Sequence, residues 1–255
     1  MLRHTTLDQL QELKLHGMAK AFAEQLSMHE LSELSFEERL GLLVEREATE
    51  RSSRRLTVRL RKANLREQAA LEDTDWRAPR GLDKGQILRL GSCQWIADHL
   101  NVLITGKAGM GKTFLACALA HKACREGYTA QYLRVPRLFR DLAIARGDGS
   151  YDRLLQGYAR TELIVLDDWG LAPIGAPERR DLLEILEDRY GRRSTIVTSQ
   201  LPVKSWYEVI GEPTLADAIL DRLLHGAYTL AMDGESKSMR GKRRTNAADV
   251  ENGAT

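Results

Sequence analysis

The feature that most constrains this chain is an eight-residue stretch, Gly106-Lys107-Ala108-Gly109-Met110-Gly111-Lys112-Thr113, set between a short apolar run and a helical one. Its three glycines permit a loop that bulkier residues could not wrap so tightly. Such a loop turns successive backbone N–H groups inward, where they cradle anionic oxygens. The helix expected over 112–125 brings its positive N-terminal end to the same place. Lys112 supplies a point charge that can reach β- and γ-phosphates, and Thr113 a hydroxyl that can ligate Mg2+. The pattern is G-x-x-x-x-G-K-[ST] in the strand-then-helix context that a phosphate loop requires. Gly106, Lys107, Ala108, Gly109, Met110, Gly111, Lys112, Thr113 and Phe114 are therefore the expected nucleotide contacts.

The rest of the chain fits around this loop. From residue 101 onward, short apolar runs at 102–105, 130–135, 163–166, 195–198 and 227–232 alternate with helical stretches. That alternation predicts an α/β fold, a parallel sheet covered on both faces. Apolar residues make up 43% of the chain, enough for such a core and too many for global disorder. Residues 1–73 hold no Pro and read as helix almost throughout, with Ser35 and Glu38 spaced as a capping box. Residues 74–85 carry the first Pro and read as a linker, and a short helix is expected over 86–98. The expected layout is thus a small all-helical N-terminal domain at 1–73, a linker and approach helix at 74–100, a nucleotide-binding core at 101–240, and a flexible tail at 241–255. The apolar run Leu163–Leu166 is bounded by Glu162 and Asp167, so no membrane span is expected. Three cysteines, Cys93, Cys117 and Cys124, form no CxxC pair and suit a reducing, cytoplasmic setting.

Three further segments carry chemistry. Glu162-Leu163-Ile164-Val165-Leu166-Asp167-Asp168-Trp169 describes a buried strand ending in two carboxylates, where parallel sheets place their ligands. Asp167 is expected to hold Mg2+ through water, and Asp168 to orient or deprotonate an attacking water. Thr195-Ile196-Val197-Thr198-Ser199-Gln200 is a strand ending in polar groups. Gln200 is the expected water-positioning sensor, with Ser199 in reserve, unless these are simply turn residues. In Ala218-Ile219-Leu220-Asp221-Arg222-Leu223-Leu224, Arg222 either crosses to a neighbouring subunit's γ-phosphate or pairs with Asp221 or Asp217 on a solvated helix.

The net charge of +2 conceals separated blocks. Residues 51–66 carry seven basic residues and no acidic one. Arg51, Arg54, Arg55, Arg59, Lys62 and Arg66 recur mostly three or four apart, along one side of a helix. Such a stripe binds duplex DNA without sequence preference and with strong salt dependence, or else is a solvated face paired with Glu45, Glu47 and Glu50. It contains no aromatic residue, so stacking on single strands is not favoured. A second basic cluster runs through Lys237, Arg240, Lys242, Arg243 and Arg244.

Together these segments resemble the AAA+ branch of P-loop ATPases, and within it the IstB/DnaC group, IstB-type transposition helpers above all. The resemblance rests on LHGMAKAFAEQL, REATERSSRRLTVRLRKANL, RGLDKGQILRL, GKAGMGKTFLACALAHKAC, LIVLDDWGL, STIVTSQLPVKSWYEVIGEPTLADAILDRLLHGAY and GESKSMR, nearly the whole chain. It implies a three-layer ATPase core that binds and hydrolyses ATP with Mg2+, assembles as a homo-oligomer, binds duplex DNA non-specifically and assists a partner transposase in choosing target DNA. It makes Arg222 the expected arginine finger and Arg240 the nearest match to a second sensor. Fifty-five residues follow Gln200, room for two helices and a strand but not for a full helical lid. A DnaC-like helicase loader shares the core and is the alternative. A small-molecule kinase needs an acceptor pocket and a lid, of which the sequence gives no sign.

Overall fold

A computed structural model describes residues 2–27, 34–76 and 81–234. By internal contacts the chain forms two units, Met1–Val58 and Arg59–Thr255, divided within a long helix rather than near residue 73.

The first unit contains α1 (Leu2–Glu12), α2 (His16–Ser27) and most of α3 (Phe36–Ala63). The chain turns between α1 and α2 at Lys14, whose φ is 59°. The Ser35 amide donates to Glu38 Oε2 at 2.8 Å and the Glu38 amide to Ser35 Oγ at 3.2 Å, so the expected capping box starts α3. Gly17 lets α2 approach α3: a Cβ there would stand 2.7 Å from the Arg46 carbonyl oxygen. The buried Glu47 carboxylate accepts from the Gly17 amide at 2.7 Å and from Arg51 Nε at 2.6 Å. Burial opposes charge on Glu47, but Arg51 and the Met18 and Gly17 amides outweigh it and hold its carboxyl below the usual range.

The second unit holds a five-stranded sheet of β1 (Val102–Gly106), β2 (Ala130–Arg134), β3 (Leu163–Trp169), β4 (Ser194–Ser199) and β5 (Tyr228–Met232). All pairings are parallel and the order is β2-β3-β4-β1-β5. Strands buried on both faces need continuous apolar runs, and β1 and β3 are such runs. The helices are α4 (Lys84–Gly91), α5 (Gln94–Ala97), α6 (Lys112–Arg125), α7 (Val135–Asp148), α8 (Tyr151–Arg160), α9 (Ala176–Arg189), α10 (Trp206–Ile210) and α11 (Pro213–Leu224). The helix expected over 86–98 is two helices, split where Cys93 adopts a left-handed conformation, φ 60°.

Alternation along the strands makes two cores. Leu103, Ile164, Leu166 and Val197 pack with Leu138, Leu182, Trp206 and Ile219 from the helices after β2. Helix α6 lies against β1 to β4 and contributes nothing to that cluster, so it covers the other face. The result is three layers, helix, sheet, helix. Among the described residues no helix follows β5, and none is long and apolar enough to cross a membrane. Arg240 and the basic cluster from Lys237 to Arg244 lie outside the described residues.

Candidate nucleotide site

Parallel strands end at one edge of the sheet, and the loop that follows β1 starts there. Gly106 closes β1 with φ 145°, and a Cβ on it would stand 2.2 Å from the Met232 carbonyl oxygen of the neighbouring β5. Only glycine fits that approach. Gly109 and Gly111 are also left-handed, φ 83° and 96°, and Gly111 caps α6. Ala108, Gly109, Gly111, Lys112, Thr113 and Phe114 line a cleft of about 230 Å³. Met110 is buried. Phe114 also packs towards Cys117 and Ala118 on α6, both fully buried, as is Cys124. Burial raises the thiols of Cys117 and Cys124 to about 11, so both act as packing residues.

Lys112 is 9% exposed, and its Nζ donates to the Lys107 carbonyl at 2.9 Å. Burial lowers its pKa, while Asp167 and Asp168 pull it back up. A desolvated ammonium bonded to one carbonyl suits an anionic ligand.

The two carboxylates sit at a bulge. Leu166 pairs with Val197 and Trp169 with Ser199, so β3 carries one residue more than β4 between these points. Asp168 takes up the irregularity with φ 65°. In a regular strand successive side chains face opposite ways; the bulge re-aims these two towards one cleft. Asp167 is fully buried and accepts from Thr113 Oγ1 at 3.1 and 3.2 Å, from the Tyr132 hydroxyl and from the Thr198 hydroxyl. Asp168 accepts from Arg134 Nε at 2.5 Å, and its amide donates to Thr198 Oγ1 at 3.3 Å. Sequence reasoning missed Thr198, Tyr132 and Arg134. Gln200 is exposed and lines the cleft beyond β4, whereas Ser199 is buried and donates to the Trp169 carbonyl at 2.8 Å, tying β4 to β3.

The donor set fits a nucleotide with a hard cation. The Thr113 hydroxyl beside an Asp167 oxygen offers two oxygen ligands in hydrogen-bond contact. Among the described residues no group of three His, Cys, Asp or Glu could hold a metal alone. An ion here would complete its shell with phosphate oxygens and water, as Mg2+ does.

Arg222 lies at the opposite end of the sheet. Its carbonyl accepts from Asn101 Nδ2 at 2.9 Å, and Asn101 precedes β1. The phosphate loop follows β1, about 17 Å further on for a five-residue strand. The Arg222 guanidinium pairs with Glu187, with Asp221 at 3.8 Å, and lies over the Tyr190 ring. It shares a cavity of about 300 Å³ with His99, Arg189, Arg193 and His225.

The basic stripe divides. Arg54, Arg55 and Lys62 are exposed, and Arg51 is exposed but paired with Glu47. Arg59 is half-buried and donates to the Cys124 carbonyl at 2.8 Å. Arg66 is not on the helix, because α3 ends at Ala63 and Asn64 turns the chain with φ 46°. Arg66 lines the nucleotide cleft instead. Its expected place on the stripe is thus corrected: the helical period was read two residues past Asn64, a residue suited to ending a helix.

Known proteins resemble this chain along most of its length. The family model described as IstB-like ATP binding protein matches residues 8–247. The insertion sequence ATP-binding protein y4pL of Sinorhizobium fredii is 55% identical over 245 residues, covering 96% of this chain and 100% of the relative. The ATP-binding protein of insertion sequence IS1162 from Pseudomonas fluorescens is 51% identical over 203 residues, covering 79% of this chain and 88% of the relative. Among solved structures, DnaI superposes with a TM-score of 0.57 at 22% identity, over 65% of this chain and 92% of that one, a likeness of fold.

Proposed function

The chain belongs to the IstB-like ATP binding protein family, and from that membership and the site just described we propose that it is a DNA-binding AAA+ ATPase that assists a partner transposase in selecting or remodelling target DNA. The observation that carries the reading is the meeting of Lys112, Thr113 and Asp168 in one cleft at the strand ends, with the buried Asp167 bonded to Thr113 beneath it. The names of its relatives, ATP-binding proteins of insertion sequences, support the setting. The likeness to DnaI is one of fold alone.

Bound Mg2+ and ATP supply the phosphoryl group and the charge that activates it. The chain's residues do the rest. Backbone amides of residues 106–113 bind phosphate oxygens, and Lys112 neutralises charge among them. Thr113 and Asp167 hold the cation. Thr198 and Tyr132 hold Asp167 in its orientation, as second partners of a metal ligand do. Asp168 orients the attacking water and accepts its proton, and Gln200 positions that water from beyond β4. Arg222 is a strand length from the loop of its own chain, so it acts on a neighbouring copy's nucleotide, which makes hydrolysis a property of the homo-oligomer. Arg54, Arg55 and Lys62 are the exposed cations of the stripe that can meet DNA phosphates.

The test is steady-state ATP hydrolysis against protein concentration, with and without duplex DNA. Turnover per chain should rise with concentration and again with DNA. Turnover indifferent to both sinks the assembly reading, and a phosphorylated small acceptor would point to a kinase.

A further inference from the structure

Arg66 is held in place by its neighbours. Leu65 and Ala69 pack with Cys117, Ala118, Phe114 and Tyr132, so the segment lies against α6 at the rim of the cleft. The amides of Glu67 and Arg66 face the Cys117 sulfur. From this anchored backbone, Arg66 Nη1 stands 3.6 Å from Asp167 Oδ2 and 3.8 Å from Asp168 Oδ2. The Tyr132 hydroxyl bonds both Arg66 and Asp167. Arg134 holds Asp168 from β2.

Two guanidinium groups thus stand beside the two carboxylates, which also feel the Lys112 ammonium. The fully buried Asp167 would be costly to leave ionised without such compensation. Yet Asp167 Oδ2 is also within 3.2 Å of Thr113 Oγ1, the pair of oxygens suited to a divalent cation. An ion between them would meet the Arg66 charge at close range. The Arg66 side chain is 44% exposed and can turn out to water at little desolvation cost.

We propose that Arg66 is the built-in counter-ion of the metal-binding carboxylates, holding Asp167 and Asp168 until Mg2+ displaces it. The inference rests on the nucleotide-site reading above. Arg66 thereby sets how much Mg2+ the site needs, and it does so from the segment that follows α3, far from the glycine loop in sequence. It is a positioning residue, acting through Asp167.

The experiment is a Mg2+ titration of the binding of a fluorescent, non-hydrolysable ATP analogue to the full chain. Arg66→Gln should lower the half-saturating Mg2+ concentration by about two- to fivefold, the range of a partly exposed ion pair. Arg66→Lys, which keeps the charge, should stay near the unsubstituted protein. Arg66→Met removes the charge at similar length and should shift the requirement the same way, so the idea stays testable if Arg66→Gln misfolds. A Mg2+ requirement in Arg66→Gln or Arg66→Met equal to or above that of the unsubstituted protein overturns the proposal. Weaker analogue binding by Arg66→Gln in excess chelator, by about tenfold, makes Arg66 a direct phosphate ligand and overturns it equally. If the unsubstituted chain binds no analogue at all, the nucleotide-site reading is what fails.

Discussion

The two ends of the sheet are opposites. At the C-terminal ends of β1 and β3 stand a glycine loop, a buried lysine and two carboxylates, around a cleft that Lys112 and Asp168 line. At the N-terminal ends stand Arg189, Arg193, Arg222, His99 and His225 around another cavity. One end is built to hold phosphates and a cation, and the other presents positive charge. The arginines there differ among themselves. Arg189 is 1% exposed and spent on the carbonyls of Tyr158, Thr161 and Ser194, so it is part of the frame; burial lowers its pKa to about 9, helped by the Arg193 charge. Arg222 is partly exposed, and its ion pair with Glu187 is a surface one that a neighbour's phosphate can outcompete. The proposed assembly is one way to bring these two ends, a strand length apart, together between copies.

That contrast can be broken at either end. Lys112→Ala should abolish analogue binding, since it strips the phosphate end of its only buried ammonium among the described residues; retained tight binding would refute the site. Arg222→Ala should leave analogue binding intact and cut hydrolysis by about 10³-fold, the scale of an arginine finger. Mixing it with an Asp168→Asn chain should restore part of the activity, because each supplies the end the other lacks. No recovery in any mixture means the ends do not meet between chains. Gly106→Ala should cost about 2–4 kcal/mol in thermal or denaturant unfolding, the range for a severe backbone clash. Unchanged stability would separate the loop from β5. The smallest effect belongs to a place at neither end. Neutralising Arg54 and Arg55 should weaken DNA binding and reduce the slope of log affinity against log salt by about two. An unaltered slope leaves DNA contact elsewhere.

Much of this was legible in the residues, and what was not has a common cause. The five strands are apolar runs closed by turn residues, so they read directly. The glycine loop reads completely because its geometry is local: Gly106, Gly109 and Gly111 set the path and Lys112 and Thr113 follow. Asp167 and Asp168 read from the strand they end. Tyr132, Thr198 and Arg134 did not, because each meets the carboxylates from another strand across the sheet. Thr198 was further masked by Ser199 and Gln200, equally polar neighbours whose facing depends on a bulge in the adjoining strand. Arg66 misled because charge spacing says nothing of where a helix stops. Asn64, a residue tolerant of left-handed backbone, was the available sign.

The strand order has a consequence for how the protein is made. β1 leads into the phosphate loop, yet both its partners, β4 and β5, come later in the chain, the first by about ninety residues. During synthesis β1 therefore waits on the ribosome side without either neighbour, and the loop has no Met232 carbonyl to close against. The loop reaches its closed path only when almost the whole second unit has emerged, so a prematurely terminated product lacks that closure.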